Sequence, residues 1–213
     1  MKWYKLAKEN IPNYLTIARI AIVPIIVVLL LVSSSNLYTL KLWNSYQINV
    51  SVCTFVAAIL FVLASLTDAI DGYLARKYNW ISDFGKFWDP LADKILVNAV
   101  LFCLAAPQQN LVPIWIPIII LVRDIIIDGV RLTACTKNIV LAANIYGKIK
   151  TITLLVGLII LLFFGGSLIN VGGLYYWLIQ NLLMYIATIL SIISGIIYVI
   201  PLWYKASKVK GEE

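Results

Sequence analysis

Long apolar stretches, separated by short polar ones, run from about residue 14 to residue 203. The first, YLTIARIAIVPIIVVLLLV, holds a single charged residue, Arg19. Similar runs cover roughly 50–72, 86–106, 111–134, 147–165 and 174–203. Each approaches or exceeds the ~20 residues that a helix needs to cross a bilayer. The runs are continuously apolar rather than alternating, which predicts helices and not a transmembrane barrel. The pattern therefore predicts an all-α integral membrane protein with six transmembrane helices. The stretch LVSSSNLYTLKLWNSYQ, 31–47, reads as an exterior loop.

Composition sharpens this picture. The 213 residues are 62% hydrophobic and only 13% charged, whereas a soluble chain carries about a quarter charged residues. The loops are too short for a separate soluble domain, so 1–213 reads as one membrane domain. Lysine and arginine are unevenly shared among the loops. The termini, the 73–86 loop and the 135–148 loop carry almost all of them, and the opposite loops hold only Lys41. By the positive-inside rule both termini are cytoplasmic and the protein lies in the plasma membrane. The net charge of +7 is then a collar facing anionic headgroups, not a signal for nucleic acid. Residues 1–10 form a juxtamembrane segment, read either as a short interfacial helix or as a frayed basic tail. A cleaved leader fits poorly, since the first apolar run is interrupted by Arg19 and Pro24 and continues too far. Cys53, Cys103 and Cys135 are too widely spaced for a metal site. With no histidine in the chain, His-based acid–base chemistry and His-containing zinc sites are excluded.

The aspartates then stand out. All seven lie between 68 and 128, while the three glutamates are terminal. Ionisable groups inside spans cost a few kcal/mol or more and mark a functional site by default. Asp68 and Asp71 sit at i, i+3 at the end of the second span. Gly85, Asp89 and Asp93 sit at i, i+4, i+8 at the start of the third. Each set shares a helix face, and a short loop joins the two helices. Four carboxylates thus converge at the cytoplasmic mouth of one hairpin. Lys86 and Lys94 are too few to neutralise them alone. Hard oxygen donors without His or Cys favour Mg²⁺, Mn²⁺ or Ca²⁺, and two ions could share four carboxylates. Gly72, Ala75 and Gly85 beside them serve either close helix packing or clearance for a bulky ligand.

The order Asp68-x-x-Asp71-Gly72-x-x-Ala75-Arg76, eight residues, then Gly85-x-x-x-Asp89-x-x-x-Asp93 resembles the signature of the CDP-alcohol phosphotransferase family. IPNYLTIARI, GKFWDPLADK, RDIIIDGVR and YGKIKT are similar to further motifs of its phosphatidylglycerophosphate-forming branch. The resemblance implies a transferase of phospholipid biosynthesis. CDP-diacylglycerol donates its phosphatidyl group to an alcohol, releasing CMP, with two divalent ions, Mg²⁺ or Mn²⁺. By the same resemblance Asp68, Asp71, Asp89 and Asp93 match metal ligands, and Asp93 also matches the general base. Gly72, Arg76 and Ser82, with Ala75 and Gly85 beside them, match positions around the CDP moiety. Asn13 and Thr16 match an N-terminal motif near the donor. Relatives of this kind are homodimers embedded in membrane lipid.

The acceptor is argued from charge. Arg123, Asp124, Asp128 and Arg131 lie in the inner half of the fourth span, and Lys148 and Lys150 flank the start of the fifth. One reading is an internal ladder of salt bridges. The other is a pocket in which Arg123, Arg131, Lys148 and Lys150 hold an anionic acceptor, since arginine's planar fork suits phosphate. The second reading favours glycerol 3-phosphate over serine, inositol or choline. A cardiolipin synthase or a phosphatidylinositol phosphate synthase of the same family is the alternative enzyme. A divalent-cation transporter is the alternative of another class. It lacks acidic groups in the fifth and sixth spans to carry ions across.

Overall fold

The computed structural model describes the backbone over residues 11–33, 39–43, 48–78, 83–136 and 145–209, and side chains within these over 13–33, 50–68, 88–133, 145–165 and 177–198. Six helices appear among the described residues: α1 Ile11–Val32, α2 Val52–Tyr78, α3 Asp83–Ala105, α4 Trp115–Thr136, α5 Ile145–Gln180 and α6 Leu182–Val209. Helix α1 packs on α2 and α3, α4 packs mainly on α6, and α5 runs alongside α6. The juxtamembrane residues 1–10 lie outside the described residues.

Helix α1 shows how sequence becomes packing. Thr16, Arg19, Val23, Ile26 and Leu30 recur at intervals of three and four, and all five are buried. The opposite face exposes Tyr14, Ile17, Ile25, Val28 and Leu31. A water-soluble helix does the reverse, with charge outside and aliphatic residues inside. Helix α6 repeats the pattern, with Met184, Ala187, Thr188, Ser191, Ser194 and Tyr198 inward and Ile186, Ile189, Ile193 and Ile196 outward. An apolar outer surface of this extent is stable against lipid and not against water. By length and composition, Asn13–Val32 and Ile145–Gly165 are able to cross a membrane, and Val52–Asp68 and Leu182–Tyr198 are shorter apolar segments.

Two features differ from the sequence pattern. The loop expected at 31–47 contains a strand, β1 Thr39–Trp43, which pairs antiparallel with β2 Ile48–Ser51. Leu40 faces Val50 and Lys41 faces Asn49 in the register. The local alternation of apolar and polar residues in TLKLW and INVS is the strand period. The second difference is α5, which does not end near 165. It continues for 36 residues to Gln180, about 54 Å at 1.5 Å per residue. The segment GGSLINVGG, 165–173, reads as a connector. Glycine weakens a helix by about 1 kcal/mol but does not end it, and the segment has no proline. The break falls at Asn181, whose side-chain amide donates to the Leu111 carbonyl at 2.9 Å.

Candidate active site

Three helices build the acidic end of the site. Asp68 sits ten residues before the end of α2, and Asp89 and Asp93 lie one turn apart on α3. Helix α1 supplies their partners. The buried Arg19 places Nη1 2.6 Å from Asp68 Oδ1, and the Thr16 hydroxyl donates to Asp89 Oδ1. Asn13 is half-buried one turn before Thr16. Asp68 lies within electrostatic reach of both Asp89 and Asp93. Asp71, Gly72, Ala75 and Arg76 continue along α2, and Gly85 opens α3. Their side chains, and Ser82, lie outside the described residues. Among the described residues no group of three or more carboxylates, thiols or imidazoles is gathered closely enough to hold a metal, and Asp71 falls outside that search. The donor chemistry fits a hard divalent cation, being all oxygen. Arg19 and Thr16 hold two of the donors in place.

Asp68 and Asp93 also line a cavity of about 610 Å³ that opens toward α4, α5 and α6. Its wall carries Lys94, Arg123, Arg131, Lys148 and Lys150 beside Asp124 and Asp128. All four basic residues read as acceptor-binding are therefore brought together in the lining of the same space. They are not equivalent. Asp124 is sandwiched between Arg123 Nη1 at 2.8 Å and Lys150 Nζ at 2.9 and 3.0 Å. Arg123 also donates from Nε to the Ser191 carbonyl at 3.1 Å and from Nη2 to Ser194 Oγ at 2.6 Å. Three of its N–H groups thus point into α4 and α6. Lys94 donates to Asp128. Arg131 stacks on Tyr198, its guanidinium carbon 5.4 Å from the ring centroid, and Lys148 is exposed. Neither forms an ion pair among the described residues. The salt-bridge ladder and the cationic pocket are thus parts of one arrangement: Asp124 and Asp128 bind three of the cations, and Arg131 and Lys148 keep their charge for the cavity.

The CDP-alcohol phosphatidyltransferase family matches this chain over residues 9–193, a range that contains both halves of the site. The chain belongs to that family. It is 37% identical to the CDP-diacylglycerol–glycerol-3-phosphate 3-phosphatidyltransferase of Mycoplasma genitalium, over 92% of this chain and 85% of the relative. The protein of the same name from Mycoplasma pneumoniae is 38% identical over 97% of this chain and 92% of its own length. That from Bacillus subtilis is 43% identical over 67% of this chain and 70% of its own.

Several groups in this CDP-alcohol phosphatidyltransferase cavity escape a reading of the sequence. Arg19 is visible as a charge in an apolar run, but nothing in the sequence names Asp68 as its partner. Lys94 follows Asp93 directly, and its bond to Asp128 crosses from α3 to α4. Ser191, Ser194 and Tyr198 look unremarkable in a long apolar stretch. Their spacing of three and four residues was a usable signal, since it places all three on one face. Gly195 completes that face: a Cβ there would come 3.3 Å from Arg123 Cγ, so the glycine gives the arginine side chain its path into α6.

Proposed function

We propose that the protein transfers the phosphatidyl group of CDP-diacylglycerol to glycerol 3-phosphate, giving phosphatidylglycerol phosphate and CMP. The observation that carries this reading is one cavity whose lining includes Asp68 and Asp93 together with Arg131, Lys148 and Lys150. The relatives' names state the same donor and acceptor. A hydroxyl of the acceptor attacks the phosphatidyl phosphorus, and its proton passes to Asp93, the general base in this reading. A phosphorus–oxygen bond forms to the acceptor, and the one to the CMP phosphate breaks. Arg131 and Lys148 hold the acceptor phosphate, with Lys150 behind them. Arg123 is reassigned from direct phosphate binding to supporting Lys150 and α6, because three of its donors are already used.

Asp68, Asp71, Asp89 and Asp93 would hold two divalent ions, Mg²⁺ or Mn²⁺. Such ions supply charge neutralisation to the diphosphate and the departing CMP. Gly72, Ala75, Arg76, Ser82 and Gly85 surround the nucleotide in this reading, with Asn13 and Thr16 near the lipid donor. We place the site at the cytoplasmic face of a plasma-membrane bundle with six crossings and both termini cytoplasmic. The lysine asymmetry of the loops supports that orientation. A two-copy assembly belongs to the same proposal, as the resemblance implies.

The test is an acceptor panel on detergent-purified protein with CDP-diacylglycerol and Mg²⁺ or Mn²⁺. Labelled glycerol 3-phosphate should enter lipid with release of CMP, while inositol phosphate, phosphatidylglycerol and serine should not. Turnover with phosphatidylglycerol instead would replace the reading with a cardiolipin synthase.

A further inference from the structure

Gly147 lies in the first turn of α5, and neither the backbone nor the packing requires a glycine there. Its backbone is ordinary helix, not the left-handed conformation that favours glycine. A Cβ built on it would meet nothing within 4 Å among the described residues. Gly157, about three turns further along, shows the other use of glycine. A Cβ there would come 2.9 Å from Met184 Cε and 3.2 Å from Leu183 Cβ, so that glycine lets α6 approach closely. Nothing described approaches Gly147 in this way.

The open space at Gly147 faces inward. Lys150, Leu154, Leu158 and Leu161 recur at intervals of three and four, and all are buried. Gly147 continues that face by one turn toward the start of the helix. The lipid-facing side is the opposite one, with Ile149, Ile152, Val156 and Ile160. From Lys150 onward the inward face is covered by protein. At Gly147 it opens into the cavity, which Gly147 lines together with Lys148, Lys150, Thr151 and Arg131.

A side chain at 147 would therefore project into space that a bound molecule takes up. Alanine would favour the helix over glycine and would meet no protein atom. What glycine supplies instead is room. That room adjoins Lys148 and Lys150, two of the cations assigned to the acceptor phosphate. The residues assigned to the donor lie on α1, on α2 and up to the start of α3, and α5 contributes none of them. We propose, resting on the acceptor reading above, that Gly147 is clearance kept for the acceptor, so that residue size at this position sets how well the cavity takes glycerol 3-phosphate.

The experiment sets Gly147→Ala and Gly147→Val beside Gly129→Ala. Gly129 also meets nothing within 4 Å, but it is exposed on α4 and is not part of the cavity lining. Its variant reproduces the helix gain without the obstruction. Melting temperature and the KM values for donor and acceptor are read for each protein. Gly147→Ala should raise the KM for glycerol 3-phosphate by about tenfold, the scale of one methyl forced into a filled site. The KM for CDP-diacylglycerol should stay unchanged and the melting temperature should be no lower than wild type. Gly147→Val should raise the acceptor KM further, and Gly129→Ala should leave both KM values unchanged. A glycine needed only for structure cannot give lost affinity with stability kept. A lowered melting temperature in Gly147→Ala would make the glycine a packing residue and overturn the inference. So would an unchanged acceptor KM, equal rises for donor and acceptor, or the same rise in Gly129→Ala. Alanine at 147 adds a methyl to open space, so folding is not at stake in the deciding variant. Wild type that releases CMP with another acceptor and not with glycerol 3-phosphate would defeat the acceptor reading itself, and this inference with it.

Discussion

Asp124 is the point at which stability and substrate binding meet, and it can be tested directly. Its carboxylate takes hydrogen bonds from Arg123 and Lys150. The three side chains are only 16%, 10% and 6% exposed in the order Arg123, Asp124, Lys150. Asp124→Asn keeps the shape and one acceptor oxygen but removes the negative charge. Two cations then face each other in a half-dry interior. Removing one partner of a buried ion pair costs about 3–5 kcal/mol, mostly because the remaining charge is uncompensated. At about 2–4 °C per kcal/mol for a chain of this size, the melting temperature should fall by about 10 °C. Asp124→Asn/Lys150→Met removes one of the two stranded cations as well and should recover at least half of that loss.

Unfolding can be followed by reaction of Cys103 with a thiol-specific fluorophore, since that thiol is free and buried. The measurement uses a Cys53→Ser/Cys135→Ser background. Acceptor KM provides the second readout. The double variant should regain stability without regaining acceptor affinity, because Lys150 also lines the cavity. A shift below about 2 °C for Asp124→Asn, or stability losses that simply add in the double variant, would refute the reasoning.

Other expectations follow from the same geometry. Arg131→Gln should raise the KM for glycerol 3-phosphate by about tenfold or more, the scale of a lost charge-assisted hydrogen bond, and leave the donor's KM unchanged. Arg123→Gln should instead lower the melting temperature by several degrees and shift both KM values, since Arg123 is tied to Ser191 and Ser194. Gly195→Ala gains about 1 kcal/mol of helix propensity but presses a methyl on Arg123 Cγ at 3.3 Å, and should show no net gain in thermal unfolding. Asp93→Asn should abolish CMP release while CDP-lipid binding persists in a filter or calorimetric assay; loss of binding would recast Asp93 as chiefly a metal ligand. Chelation should stop turnover, with Mg²⁺ or Mn²⁺ restoring it and an inert salt failing to.

The sequence made some parts of this molecule legible and concealed others, for physical reasons. Carboxylates are so costly in apolar surroundings that their spacing on two helices marks a candidate site in the sequence alone. The charges of α4 were equally visible, but whether they paired or faced a ligand depended on Lys94, Lys150, Ser191 and Ser194, each on another helix. Periodicity reports which residues share a face, not which faces meet. The end of α5 is hidden for a related reason: glycine and serine lower helix propensity without setting a boundary. The true boundary at Asn181 is anchored by the Leu111 carbonyl, seventy positions away in the chain.

The pairs around the cavity follow a pattern with a consequence for specificity. Arg19–Asp68 ties α1 to α2, Lys94–Asp128 ties α3 to α4, and Lys150–Asp124–Arg123 ties α5 through α4 to α6. In lipid, apolar faces gain little by choosing one another over acyl chains, and polar contacts decide much of which faces meet. The charges that shape the cavity therefore also fix the helices that enclose it. Changing Asp124 to suit another acceptor would loosen the bundle as well as the site. Lys148 lines the same cavity without an ion pair among the described residues, whereas Arg131 ties α4 to α6 through Tyr198. Altered acceptor preference should accordingly be reachable by substitutions at Lys148 with little change in melting temperature, and should come with a large stability loss at Asp124.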